Sequence, residues 1–444
     1  MIVLSGLALC SVAQEPPAQP TEPVAPAAIQ VAPGPPAQPQ SAPKPLTVTP
    51  DTSILRRTPV IDGTIEDGEW DVFYALAEPF EATTYADWDS QYLYLAARCA
   101  AAADFAAVLD ANADGWFNGP DNYEFAVTRG EAGVVLTVSR FDSAGAKQPT
   151  ALPVSPGEAA LVEMKSTSTQ DALTVEMRIP SWLIRDFKLV TGRKIGLQMA
   201  FRTSPEAFWT PSVAQSSVHQ CELVSRKMAS LKPLLLGFDL LDTRVARGDE
   251  LVAKFHVTND SSEEVDVRQF VLAGEGKSGD YLSSQKVRMD GLSPRKHVRQ
   301  EFRSIIPRDM PLGTWAIGAE VRSADARLGG ALVSFEVVEP FTVELRVPDK
   351  PVRVDVKDVT FTIIVRNNMR RNIRGQAKIT LPQGWELWRD IDMREFASRD
   401  RSFASVPFKA KPPLGSLGEV SVSAEVTVEG ITKTAEGRFS LVNP

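Results

Sequence analysis

Leu173-Thr174-Val175-Glu176-Met177-Arg178-Ile179 alternates apolar and polar residues throughout and stops at Pro180. Period-two alternation marks a β-strand with one buried face, and proline ends it by removing the next ladder donor. Working outward, Gln91-Tyr92-Leu93-Tyr94-Leu95-Ala96 sets aromatics and leucines between turn residues, and Tyr123 to Val127, Val134 to Val138 and Lys194 to Phe201 alternate in the same way. Ser181-Trp182-Leu183-Ile184, directly after Pro180, predicts a single helical turn. Strands bounded by Gly, Pro, Asn and Asp make an all-β sandwich the economical architecture from about Thr58 to Ser230.

The strand rhythm continues to the end of the 444-residue chain, a length that calls for several cores. Residues 231–338 predict seven strands, beginning near Leu234, Leu251, Val265, Leu282, Val298, Trp315 and Leu332. Residues 339–444 repeat the count near Phe341, Val359, Ile373, Trp385, Ser402, Val420 and Ile431, with Glu339-Pro340 as the joint. About 100 residues with seven strands is the size of an immunoglobulin-like sandwich. Both segments carry a strand that runs into Asn, Phe255 to Asn259 and Thr362 to Asn368, which reads as a shared strand-to-turn signal.

The opening has a different composition. Residues 1–13 are apolar, too short to span a bilayer, and end in Ser11-Val12-Ala13, so they predict a signal peptide cleaved after Ala13, with a lipid anchor on Cys10 as the alternative. Residues 14–50 are dominated by Pro, Ala and Gln and predict a semi-rigid linker with no core. No other stretch is apolar and long enough for a transmembrane helix. The expected location is secreted, periplasmic or cell-surface. After cleavage two cysteines remain, Cys99 and Cys221, which form either a disulfide or two buried thiols.

Net charge is −8, and residues 51–230 hold more acidic than basic side chains. That argues against nucleic acid as the partner of the first domain, since phosphate binding needs a concentrated basic face. Arg366, Arg370, Arg371 and Arg374 read as a solvated hairpin edge that blocks unwanted strand pairing, with contact to an acidic polymer or surface as the alternative.

Asp110-Ala-Asn112-Ala-Asp114-Gly115-Trp116-Phe117-Asn118-Gly119-Pro120-Asp121 is the sharpest local signal. Calcium takes six to eight hard oxygen ligands, and oxygens at alternate positions of a tight loop converge on one point. The expected ligands are Asp110, Asn112, Asp114, the Trp116 carbonyl, Asn118 and Asp121, with Gly115 at the sharp turn. Asn122 to Val127 reads as strand, so the loop is expected between strands, not between helices. The competing reading is an Asp/Asn/Gly turn satisfied by its own backbone.

Trp70, Trp88, Trp116, Trp182 and Trp209 all fall in the first domain. Trp70 and Trp182 are expected in the core. Trp88 lies among Asp87, Asp89 and Ser90, and Trp209 sits between Phe208 and Thr210-Pro211, so these two are the expected exposed ligand-binding pair. The chain has three histidines, His219, His256 and His297, and lacks a nucleophile elbow, a phosphate loop and a dinucleotide fingerprint. A His-based triad or zinc enzyme is thereby disfavoured, while a glycoside hydrolase, which needs only two carboxylates, stays as the enzymatic alternative.

Val60-Ile61-Asp62-Gly63 with Glu66-Asp67-Gly68-Glu69-Trp70 resembles the opening of carbohydrate-binding module family 9. Trp88 to Leu95 is similar to that family's Trp-Asp strand, Asp121 to Phe125 to its acidic strand, and Val175 to Pro180 to its late strand, over about residues 58–225. The resemblance implies a calcium-supported sandwich that binds sugar between two tryptophans, by position Trp88 and Trp209. Phe201-Arg202-Thr203 stands where the family has Asn-Asp after its late strand. Leu381-Pro382-Gln383-Gly384-Trp385 resembles the strand end of immunoglobulin-like domains appended to bacterial surface proteins and implies a spacer. The resulting expectation is a non-catalytic protein that binds a polysaccharide or cell-surface glycan and attaches to the envelope, with calcium as cofactor. The alternative is a structural or protein-interaction scaffold without sugar binding, with other envelope proteins as partners.

Overall fold

Alternating strands need a second layer to cover their apolar faces, and the chain supplies that layer three times. The computed structural model describes residues 52–443, except 78–79, 101–102, 116–118, 131–132, 142–150, 170, 203–217 and 414–416. The signal peptide and linker expected over residues 1–50 lie outside the described residues, as do Trp116, Asn118 and Trp209. Among the described residues the fold is all-β, with only short helical turns, and no helix is long and apolar enough to cross a membrane.

The first sandwich holds β1 (Ser53–Leu55), β2 (Val72–Leu76), β3 (Ala82–Trp88), β4 (Tyr92–Cys99), β5 (Asp104–Asp110), β6 (Asn122–Gly130), β7 (Gly133–Phe141), β8 (Ala151–Pro153), β9 (Glu163–Ser168), β10 (Leu173–Pro180), β11 (Lys194–Arg202) and β12 (His219–Val224). One sheet has the order β1-β12-β11-β5-β6-β7-β8, and the other β2-β3-β4-β10-β9. Leu93, Leu95, Val175, Met177 and Ile179 of the smaller sheet meet Phe105, Leu109, Phe125, Ile195 and Leu197 of the larger one in a dry core. Ser181–Leu183 forms the expected helical turn.

The second sandwich holds β13 (Arg226–Ser230), β14 (Leu234–Leu240), β15 (Arg244–Ala246), β16 (Glu250–Asn259), β17 (Gln269–Gly274), β18 (Gln285–Arg288), β19 (His297–Ile305), β20 (Gly313–Arg322) and β21 (Arg327–Val338). One sheet runs β13-β21-β20-β17-β18 with β15 beside β21, and the other β14-β16-β19. β13 was expected in the first domain but pairs antiparallel with β21, so it belongs to the second sandwich. Val265 makes only an isolated bridge to Leu292, and Leu282 packs in the core from a loop, so neither begins the strand expected of it.

The third sandwich holds β22 (Phe341–Arg346), β23 (Val352–Arg353), β24 (Val359–Asn367), β25 (Ile373–Thr380), β26 (Glu386–Leu387), β27 (Met393–Ser398), β28 (Phe403–Lys411), β29 (Gly418–Val428) and β30 (Ile431–Val442). Its sheets run β22-β24-β28-β26 and β23-β30-β29-β25-β27. Trp385 packs edge-on against Phe361 and Phe439 in this core, at 5.8 and 5.9 Å.

The sandwiches do not hang on bare linkers. Between the first and second, Thr58 N donates to the Thr314 carbonyl at 2.9 Å, and Thr314 N donates to Thr58 Oγ1 at 3.0 Å. Ser334 Oγ donates to the Arg56 carbonyl at 2.5 Å. Lys277 Nζ reaches the buried Glu69 at 3.1 Å and Glu66 at 3.3 Å. Gly68 and Gly276 meet so closely that a Cβ on Gly276 would stand 1.7 Å from the Gly68 carbonyl oxygen. Between the second and third, Arg370 N donates to Asp249 Oδ2 at 2.7 Å, and Asp242 pairs with Arg401 at 2.6 Å and with Arg370 at 3.1 Å. Ala246 of the second sandwich is buried within the third core.

Candidate functional site

The outer face of the β2-β3-β4-β10-β9 sheet is where a long loop, an aromatic group and several charges come together. Residues 59–71 lie across it as a strap, with Ile65 and Trp70 packed on Tyr94 and Ala96. The strap is tied down by carboxylates. Asp62 N and Gly63 N donate to Glu176 Oε2 at 3.0 and 2.5 Å, and Val60 N donates to Glu69 Oε1 at 3.1 Å. Gly63 sits at φ 96°, which a side chain would strain. Glu176 is fully buried, and burial raises its pKa against the pull of these two N–H donors. Asp62 and Glu69 of the Val60 to Trp70 motif thus serve the strap's own backbone, and Glu69 with Glu66 also takes Lys277.

At the end of this face Trp182 stands 58% exposed. This corrects its expected core position: Pro180 and the turn after it carry the indole out past the sheet edge, where Ser181 N donates to the Gln91 carbonyl at 2.8 Å. Its ring meets Tyr92 edge-on with centroids 5.3 Å apart. The Arg178 guanidinium lies over the Tyr92 ring at 4.9 Å and is ion-paired with Glu163, both half-exposed. Below them Asp89 accepts from Tyr94 Oη at 2.5 Å and from Thr58 Oγ1 at 3.0 Å, which fixes the β3–β4 turn. An exposed indole, a braced phenol ring and a paired cation and carboxylate form a shallow amphipathic platform.

Trp88 is placed against expectation. It is 2% exposed, with its indole N–H donating to the Ile54 carbonyl at 2.9 Å. Its polar neighbours face away from it: Asp87 is buried beside Arg57, and Asp89 caps the turn. Alternation along β3 puts Trp88 on the inner face with Ala86, so it offers no surface to a ligand. The expected Trp88–Trp209 pair is therefore not available as a sandwich of exposed rings.

The Asp110 loop leads from the end of β5 to the start of β6. Asp110 is 1% exposed, and its carboxylate accepts from Ala113 N and Gly115 N, both at 2.8 Å, and Asn112 N at 3.3 Å. Asp114 N donates to Asn112 Oδ1 at 2.8 Å. Gly115 takes φ 79°, as the sharp turn demands. Burial raises the pKa of both Asp110 and Asp121, against the backbone hydrogen bonds that lower it. Asp121 Oδ2 and Asn122 Oδ1 are buried without a hydrogen-bond partner, and Asn122 lies directly across the ladder from Asp110. Asn122 was missed in the sequence because it opens a strand. Among the described residues no three His, Cys, Asp or Glu side chains gather into a metal site.

Cys99 and Cys221 are both buried, on opposite sheets, and no disulfide joins them.

No protein-family model matches the chain, and no curated protein matches its sequence. Among solved structures it is similar to a carbohydrate binding module family 9 from Caldicellulosiruptor kristjanssonii in complex with cellotriose, at 16% identity and a TM-score of 0.27, over 39% of this chain and 93% of that one. It is also similar to the native conformation of E. coli alpha-2-macroglobulin, at 10% identity and a TM-score of 0.22, over 83% of this chain and 32% of that one. The chain thus spans about a third of that protein. A CARDB domain from Pyrococcus furiosus, in complex with di-metal ions, matches at 16% identity and a TM-score of 0.19, over 25% of this chain and 93% of that one.

Proposed function

We propose that the chain is an exported, non-catalytic binding protein whose first sandwich holds a carbohydrate on the Trp182 platform and whose other two sandwiches form a stiff stalk. The observation that carries this reading is the exposed indole braced by Tyr92, with Arg178 and Glu163 beside it. Sugars pack their C–H faces on aromatic rings while charged and amide groups take their hydroxyls, and a shallow site with few polar groups suits them. The motif resemblance of Val60 to Trp70 and Trp88 to Leu95 to carbohydrate-binding module family 9 points the same way.

Calcium belongs to the same proposal. The Asp110 carboxylate is taken up by the loop's own N–H groups, whereas Asp121 Oδ2 and Asn122 Oδ1 are buried near it without partners. A hard cation would satisfy them together with the expected oxygens of Trp116 and Asn118. Its role would be to stiffen the β5–β6 connection.

Calorimetric titration of the full chain with soluble cell-wall and plant oligosaccharides tests the reading. Heat that vanishes in Trp182→Ala supports it; unaltered binding in that variant removes the platform. Weaker binding or a lower melting temperature in chelator, abolished by Asp121→Asn, supports calcium.

A second reading, a scaffold for envelope proteins without sugar binding, is favoured by the burial of Trp88 and by the interlocked joints. Absence of heat with every oligosaccharide, in calcium and in chelator, would select it.

A further inference from the structure

Two of the chain's three histidines meet on the outer face of the β14-β16-β19 sheet. Register sets this up. Thr258 faces His297 across the β16–β19 ladder, and His256 faces Arg299, so the two imidazoles are diagonal neighbours on one face. Across the other ladder His256 faces Gly237, whose absent side chain leaves the ring's flank open. Ala253, Phe255 and Val257 point the other way into the core, which fixes the backbone under the pair.

His256 Nδ1 and His297 Nε2 converge at 3.4 Å. Imidazole binds a divalent transition metal at about 2.0–2.1 Å, which puts two nitrogens of a tetrahedral shell about 3.4 Å apart and of a square shell about 2.9 Å apart. The far nitrogens are also provided for. His297 Nδ1 lies 2.9 Å from Thr258 Oγ1, and His256 Nε2 faces Asp239 Oδ2 at 3.9 Å. Thr258 holds the His297 ring, while Asp239 lies too far from His256 to hydrogen-bond and contributes negative charge only. In the metal-free protein one imidazole can donate to the other, and a cation entering between the two nitrogens would take the place of that proton. The charged groups around the pair are Asp239, Lys254 and Arg299.

We propose that His256 and His297 form a surface site for a divalent transition cation of the zinc or copper class, with water completing the shell, Thr258 holding the His297 ring and Asp239 adding negative charge nearby. Two protein ligands give moderate affinity, and copper should bind more tightly than zinc, following the general order for nitrogen ligands. This site is separate from the Asp110 loop, which offers hard oxygens.

The test is titration of the full chain with copper(II) and with zinc, followed by calorimetry and, for copper, electron paramagnetic resonance. One equivalent bound through two imidazole nitrogens is expected, lost in His256→Gln and in His297→Gln and kept in His219→Gln, with Thr258→Val weakening it about 10- to 100-fold. Circular dichroism of the variants establishes that loss of binding is not loss of fold. Unchanged stoichiometry in both histidine variants, no heat with either metal, or a copper spectrum without two imidazole nitrogens overturns the proposal.

Discussion

Asn259 and Asn367 do the same work in successive sandwiches. Each is the buried last residue of the strand that holds the middle of its sheet, β16 or β24. Asn259 Nδ2 donates to the carbonyls of Glu263 at 2.7 Å and Leu292 at 2.9 Å, while its Oδ1 accepts from Ser261 N at 2.9 Å. Asn367 Nδ2 donates to Arg371 at 2.7 Å and Arg399 at 2.8 Å, while its Oδ1 accepts from Met369 N at 2.9 Å. One amide thus closes a turn and ties it to a distant loop, at the same offsets of two and four residues.

Replacing either with alanine leaves buried carbonyls without donors. Each of Asn259→Ala and Asn367→Ala is expected to lower stability by about 1–3 kcal/mol, and Asp is no substitute because it lacks the amide donor. Denaturant unfolding of the two single variants checks this. A loss below about 0.5 kcal/mol in both would mean that water replaces the amide.

Trp88→Ala is expected to cost about 3–5 kcal/mol, as a cavity in a packed core does, and to leave unchanged the glycan binding proposed for the Trp182 platform once folded. Trp182→Ala should do the reverse, within about 0.5 kcal/mol of wild-type stability. Thermal melts paired with glycan titration separate them, and a Trp88 variant with native stability would contradict the packing described.

How far this was legible is uneven. β4, β6, β7, β10 and β11 follow from alternation, because each has one wet or strap-covered face. β5 has no such signal: Phe105 to Asp110 is buried on both faces, with Ala106 and Ala107 in the middle, and periodicity vanishes when both faces are dry. Trp88 and Trp182 exchanged their expected places for a related reason. Neighbouring charges do not report which face of a strand a residue occupies, and Asp87, flanking Trp88, is itself buried. The Asn259 and Asn367 turns were visible as strand ends, but not their distant partners. The His256–His297 pair needed the register of β16 and β19, which no local pattern supplies.

Asp87 makes stability depend on pH. Burial raises its pKa from 3.8 to about 8, against Arg57, with Asp71 adding to the rise. A raised folded pKa favours the protonated form, so the group costs nothing below about pH 4, and its cost grows until it is fully charged above about pH 8. Asp87→Asn should therefore match wild type below about pH 4 and gain on it progressively to pH 8. Denaturation midpoints across that range check the sign, and a constant difference would show that Arg57 keeps Asp87 ionised throughout.

Lys277 holds the first joint. Burial works against its charge, but hydrogen bonds and attraction from Glu69 and Glu66 outweigh it and raise its pKa. That contribution is present at neutral pH and is lost only as pH climbs through the raised value. Lys277→Met leaves Glu69 buried without its cation and is expected to cost about 3 kcal/mol. It should also split one unfolding transition into two, measured by calorimetry; a single unshifted transition would show that the backbone contacts alone suffice.

The meeting of Gly68 with Gly276 bears on how a pull would travel along the molecule. Two backbones in direct contact leave no compliant side chain to compress, so the first joint acts as a bearing surface, not a spring. A load crossing from the second sandwich to the first at this point would pass directly between two backbones.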